Sequence, residues 1–186
     1  MTRTDAGIFC LFFPACLGLL PQIFSAHPLS HQSFAFGLLL LGIDQARMAA
    51  LDLQQIAQVK TQTPDPRLDF FYGLTLSAIA GELLGFYLAT VYLGTGIILV
   101  LGSQVWFNAL AEIRLQPAQA ELITPKPVAE RMGLTLGNLI ALGMIGCWMH
   151  NIYPVTMVVG LWSTAIIYAV VKVGQKYLPV GQVARS

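Results

Sequence analysis

The sequence predicts an all-α integral membrane protein, with six transmembrane helices in three antiparallel hairpins. Composition is the first reason. Apolar residues make up 56% of the 186 and charged residues 10%, against about 25% charge in ordinary soluble domains. The second is spacing. Apolar runs recur at close to the length a helix needs to cross a hydrocarbon core, about 20 residues for about 30 Å. The third is charge placement. On this topology all ten Lys and Arg fall on one side, from Arg3 to Arg185, and the three tight turns on the other side hold none. The positive-inside rule then puts both termini in the cytoplasm.

The chain is expected to be a single transmembrane domain over 1–186, its helices covering about 6–26, 29–48, 69–91, 94–112, 132–150 and 154–172, with 49–68 and 113–131 as cytoplasmic connections. The first run, Ala6 to Ala26, imitates a secretory signal. Phe24, however, would stand where the peptidase needs a small side chain, and Pro14 and Pro21 interrupt the run. It is therefore expected to stay as a helix, since membrane helices tolerate proline where neighbours satisfy the freed backbone. Pro28 is placed to open the second helix. Asp44 and Arg47 are three apart near its membrane boundary and are expected to pair there. Beyond them the helix should continue outside the bilayer to Lys60, until Pro64 and Pro66 end it.

The third and fourth helices form the central hairpin, around the turn Tyr92-Leu-Gly-Thr-Gly96. From Phe70 to Ala111 the only formal charge is Glu82. It lies about 13 residues into its helix, or about 20 Å from the charged side at about 1.5 Å per residue. An ionised carboxylate at that depth costs at least about 2.5–3.5 kcal/mol, so it should face other helices and bear a proton or meet a partner. Gln104, Asn108 and Glu112 follow at i, i+4, i+8 on the fourth helix, and Gln104 is expected at the depth of Glu82. Asn138 on the fifth helix lies nearer the charged side. These five are the intramembrane polar candidates.

Gly73, Ser77, Gly81, Gly85 and Ala89 recur every fourth residue on the third helix. In lipid, helix association depends on close backbone approach and dispersion, so this stripe predicts a tight helix–helix contact. Gly133, Gly137 and Ala141 on the fifth helix are the expected counterpart. The tetrapeptides Gly73-Leu-Thr-Leu76 and Gly133-Leu-Thr-Leu136 also match at equivalent depths, a thin trace of hairpin duplication.

Several function classes find no support. A net charge of +1 with no basic patch argues against a nucleic-acid partner. There is no nucleophile elbow and no zinc-helix motif, so no catalytic residue is assigned. Cys10, Cys16 and Cys147 lack metal spacing and read as small buried residues. His27, His31 and His150 all lie at the uncharged side and are weak metal candidates. No cofactor is expected, and bound lipid or pigment is left open.

The blocks Leu68-Asp-Phe-Phe-Tyr72, Glu82-Leu-Leu-Gly-Phe-Tyr-Leu-Ala89, Ser103-Gln-Val-Trp-Phe-Asn108 and Leu115-Gln-Pro117, with Gly42-Ile-Asp-x-Ala-Arg47-Met, resemble a family of small, uncharacterised cyanobacterial multi-pass membrane proteins. The resemblance implies a thylakoid or plasma membrane and no activity. The expected role is a non-enzymatic accessory or assembly component, in contact with the bilayer and with a larger membrane complex or further copies of itself. The alternative is a small-solute or ion carrier, similar in size and helix number to vitamin-binding subunits of energy-coupling-factor transporters. Glu82 would then be a proton, cation or substrate site. A carrier requires a hydrated pocket at Glu82, whereas a scaffold requires it packed dry.

Overall fold

A computed structural model describes residues 3–117 and 122–177. The polar tail with Arg185 lies outside the described residues. Six helices and one short hairpin of strands follow in order: α1 (Arg3–Phe24), α2 (Leu29–Gln62), α3 (Pro66–Ala89), α4 (Leu93–Leu110), β1 (Ile113–Leu115), β2 (Ile123–Pro125), α5 (Val128–Met149) and α6 (Pro154–Tyr177). The fold is all-helical apart from that hairpin. Among the described residues five helices, α1 to α5, are long and apolar enough to cross a membrane, and the apolar stretch found in α6, Pro154–Ser163, is shorter.

Pro14 and Pro21 sit inside α1 without ending it. Neighbours tie that helix down. The Tyr87 hydroxyl donates to the Leu11 carbonyl at 3.1 Å, one turn before Pro14, and Gln22 Nε2 donates to the Thr90 carbonyl at 2.7 Å.

One unbroken helix, α2, runs to Gln62, so the connection over 49–68 is helical for most of its length, as the continuation to Lys60 predicts. Sequence periodicity explains it. Ala46, Ala49, Ala50, Ile56 and Val59 are buried at helical spacing, an apolar stripe that needs a partner. Ala46, Ala49 and Ala50 face the main core, while Ile56 and Val59 enter a second core, where they pack with Leu68, Phe71 and Leu74 of α3 and with Ala111, Ile113 and Leu115. The last three come from the stretch after α4. That stretch was expected to be a plain linker; instead β1 and β2 pair antiparallel, Arg114 opposite Thr124.

Asp65 starts α3 by accepting from the Arg67 backbone N–H at 2.9 Å, with Pro66 at the first helical position. This is the preferred cap chemistry, an acceptor side chain before a proline that has no N–H to lose.

The main core gathers Phe12, Leu19, Phe34, Phe86, Val100 and Ile145 from α1 to α5. Its tightest seam joins α3 to α4. A Cβ added at Gly85 would stand 2.9 Å from the Gly96 carbonyl oxygen, 2.9 Å from Val100 N and 2.7 Å from Val100 Cγ2. One at Gly81 would strike the Ser103 hydroxyl, and one at Gly96 would strike the Ala89 backbone. Ser77 accepts from Trp106 Nε1 at 3.4 Å. The small stripe therefore meets α4. Its expected seam with Gly133 and Gly137 of α5 does not form: an added Cβ at either, or at Gly73, would meet nothing within 4 Å. Instead α5 docks through Ile145, fully buried, and through Met149, whose Sδ would lie 2.7 Å from a Cβ at Gly94.

Candidate functional site: a polar cavity at Glu82

Where the α3–α5 seam was expected there is a cavity of about 580 Å3, bordered by α2, α3, α4 and α5, with Leu161 of α6 at its edge. Each helix presents one face to it. On α2 the lining residues are Leu41, Asp44, Gln45, Met48, Ala49 and Asp52; on α3, Thr75, Ala78, Ile79 and Glu82. Both sets follow the i, i+3, i+4, i+7 spacing of a single helical face. Gln104 and Asn108 come from α4, and Gly133, Gly137 and Asn138 from α5. The glycines thus leave room for the cavity where a larger side chain would fill it.

Glu82 is 6% exposed. Its helix fixes it there, because the close approach at Gly81 and Gly85 holds α3 against α4 on both sides of it. The Gln104 amide lies beside its carboxyl, yet the buried Gln104 Nε2 reaches no acceptor at full hydrogen-bond geometry. The Asp52 carboxylate acts on Glu82 across the space. The chamber wall therefore carries three carboxylates, those of Asp44, Asp52 and Glu82, with four side-chain amides and one threonine hydroxyl. No Lys, Arg or His lines it. The remaining wall is apolar, including Met48, Ile79, Leu101, Phe107 and Leu134.

A second space of about 330 Å3 adjoins the first and shares Met48, Asp52, Phe107, Asn108 and Leu134 with it. Its other wall is the β1–β2 region, with Arg114, Lys126 and Glu130. Arg114 pairs with Glu130. Burial pushes the Lys126 ammonium below the ordinary lysine range, partly offset by the Glu130 and Asp52 charges and reinforced by Arg114 and Arg131. Basic charge thus stops at the mouth, and the inner chamber holds only acidic and neutral groups.

The candidates read from the sequence separate into two sets. Glu82, Gln104, Asn108 and Asn138 share the chamber. Glu112 does not belong to it. Its i+8 stripe breaks because α4 ends at Leu110, where Ala111 and Ile113 turn into the second core. Glu112 is exposed and lies 3.8 Å from Arg131, whose Nη1 donates to the Ala109 carbonyl at 3.2 Å. A cation at a helix C-terminus is favourable there. The expected Asp44–Arg47 pair is absent from the ion pairs among the described residues. Asp44 lines the chamber, and Arg47 does not. Gln45, Asp52 and Thr75 were missed as site residues, and Asp44 was given a different role, although the recurrence of Asp44, Gln45 and Asp52 at i, i+1 and i+8 was a legible signal of a polar face on α2.

His27 and His31 stack at 4.2 Å between ring centroids, and His31 Nε2 bonds Gln22 Oε1 at 2.8 Å. His150 is the residue that ends α5. Among the described residues no three His, Cys, Asp or Glu are grouped so as to hold a metal ion.

Compared with known proteins, the chain matches no family model, no curated protein and no solved structure. Assignment of a role therefore rests on the cavity and its chemistry.

Proposed function

We propose that this is a multi-pass integral membrane protein that binds and carries a small solute in the cavity at Glu82. Its six helices cross as three antiparallel hairpins with both termini cytoplasmic, in a cyanobacterial plasma or thylakoid membrane. The observation that carries the proposal is the open space beside a carboxylate within apolar helices. A scaffold that used Glu82 only to fix helix register would close around it, because void space in a packed core forfeits dispersion contacts. A volume of about 580 Å3 is within the about 300–1,000 Å3 range of small-molecule sites. The chemistry is binding and passage, without a catalytic step.

Water access decides the matter. After replacement of Cys10, Cys16 and Cys147, single cysteines at Ala78 and Asn138 are expected to react with a water-soluble thiol reagent. A cysteine at Leu84, which is 63% exposed on the outer face of α3, is expected to resist. Protection of both chamber positions would remove the carrier proposal.

One feature favours a second role, as an accessory or assembly component. Among the described side chains of α5 only Ile145 is buried, while Met132, Leu136, Leu139 and Ile140 are exposed. Such a face suits lipid or a neighbouring subunit. Migration of the mildly extracted protein with a large complex would support the accessory role. Migration as a small particle would remove it.

A further inference from the structure

Resting on the proposal of a solute site, the chemistry of its walls narrows the solute. We propose that the inner chamber takes a small organic cation with an apolar body, of the alkylammonium type.

Charge is the first ground. Asp44, Asp52 and Glu82 line the chamber, and no Lys, Arg or His does. Carboxyl groups spread over the wall of one cavity draw a ligand cation into it. An anion would meet the same field as repulsion. Of the two basic groups in the adjoining space, Arg114 is paired with Glu130 and Lys126 acts on Asp52 from the outer wall, so Asp44 and Glu82 carry the charge argument for the inner chamber.

Size and shape are the second ground. The carboxylates are spread over the walls, and among the described residues no three form a group that could hold one metal ion. A bare metal cation would find no coordination shell in about 580 Å3. An alkylammonium delocalises its charge over a larger volume and needs no inner-shell ligands. Its body fits the rest of the wall, where Met48, Ile79, Leu101 and Phe107 offer apolar contact.

The third ground is the amide beside the carboxyl. Gln104 lies next to Glu82, its Nε2 short of full hydrogen-bond geometry, and a hydroxyl on the solute would meet both groups in one polar corner of the chamber. A short alkylammonium alcohol combines all three features.

The test uses three compounds of one shape and different charge on the full-length protein in detergent: choline, its uncharged carbon isostere neohexanol, and the anion tert-butylacetate. Binding is measured by calorimetry. Choline is expected to bind at least about tenfold more tightly than neohexanol, with tert-butylacetate weakest. Glu82→Gln keeps the shape and removes one of the three charges, and is expected to narrow the choline-to-neohexanol ratio severalfold. Should that variant fail to give a monodisperse protein, the Asp44→Asn/Asp52→Asn variant is read by the same ratio. Equal binding of choline and neohexanol by the wild type, preference for the anion, or a choline affinity untouched by Glu82→Gln overturns the cation assignment. So does the absence of choline binding. If neohexanol binds and the chamber cysteines react with water-soluble reagent, the solute site stands and only its charge selection fails. Protected cysteines with no binding would remove both.

Discussion

Gly85 on α3 and Gly137 on α5 look alike in sequence. Each belongs to a run of small residues at four-residue spacing in an apolar helix. Their surroundings are opposite. At Gly85 an added Cβ would lie 2.9 Å from the Gly96 carbonyl oxygen of α4, whereas at Gly137 it would meet nothing within 4 Å. The α3–α4 seam uses the missing side chain to bring two backbones together. The α5 wall uses it to leave a chamber open. A small residue in a membrane helix thus guarantees only that no side chain fills its place, and the neighbouring helix decides whether backbone or space takes it.

Substitutions at the two kinds of glycine should separate these roles. The largest loss of stability is expected at the seam. Gly96→Val would drive two methyl groups into the Ala89 backbone, which cannot rotate away, and should cost about 3 kcal/mol or more, read as a steep fall in Tm in detergent. Gly81→Ala should cost less, about 1 kcal/mol, because the atom it strikes is the Ser103 hydroxyl, which donates to the Leu99 carbonyl at 2.9 Å and can turn. Adding Ser103→Ala should recover most of that loss, and a non-additive double-mutant cycle would register the contact. At the chamber wall the pattern should invert. Gly137→Leu is expected to leave the unfolding free energy within about 0.5 kcal/mol of the wild type while abolishing choline binding. A collapse of stability there would place Gly137 in a packed seam and break the comparison.

The smallest effects belong to the mouth and to the connection before α3. The Lys126 ammonium is held below the ordinary lysine range by burial, which outweighs the Glu130 and Asp52 charges. The folded protein therefore binds that proton less well than the unfolded chain, and stability rises as pH climbs through the folded value toward the unfolded one. Lys126→Met should raise Tm slightly at neutral pH, and the gain should vanish as pH approaches the usual lysine range. Asp65 titrates the other way. Its hydrogen bonds from the Arg67 side chain and backbone hold the carboxyl below the ordinary aspartate range. Its stabilising effect is present above that range and is lost as pH falls through the lowered value. Asp65→Ala should lower Tm a little at neutral pH and not at all in strong acid.

Much of the fold was legible because apolar run length and helical periodicity are local properties. The helical character, the turns near Pro28, Tyr92 and Pro154, and the isolation of Glu82 all follow from them. The adjacency of Gln104 to Glu82 could also be read, since both stand about ten residues from one tight turn. The turning of Asp44 to the chamber and the absence of a Gly73-to-Gly133 seam could not be read. Spacing says which residues share a helix, but not how far that helix is rotated about its axis. The β1–β2 hairpin was hidden in a polar, proline-bearing stretch, where Ile113 and Leu115 find their burial only against α2 and α3.

The sequence by itself determined the helical character. Its apolar runs, its charge confined to a few segments and its lone central carboxylate lead to apolar helices, five of them among the described residues long and apolar enough to cross a membrane. Only the tertiary structure decided what surrounds Glu82. The rotation of α2 brought Asp44 and Asp52 to face it, and the docking of α5 through Ile145 and Met149 left Gly133 and Gly137 on an open wall. Helix rotation and crossing are set by the sum of many contacts between distant residues, and no local stretch of the chain encodes that sum.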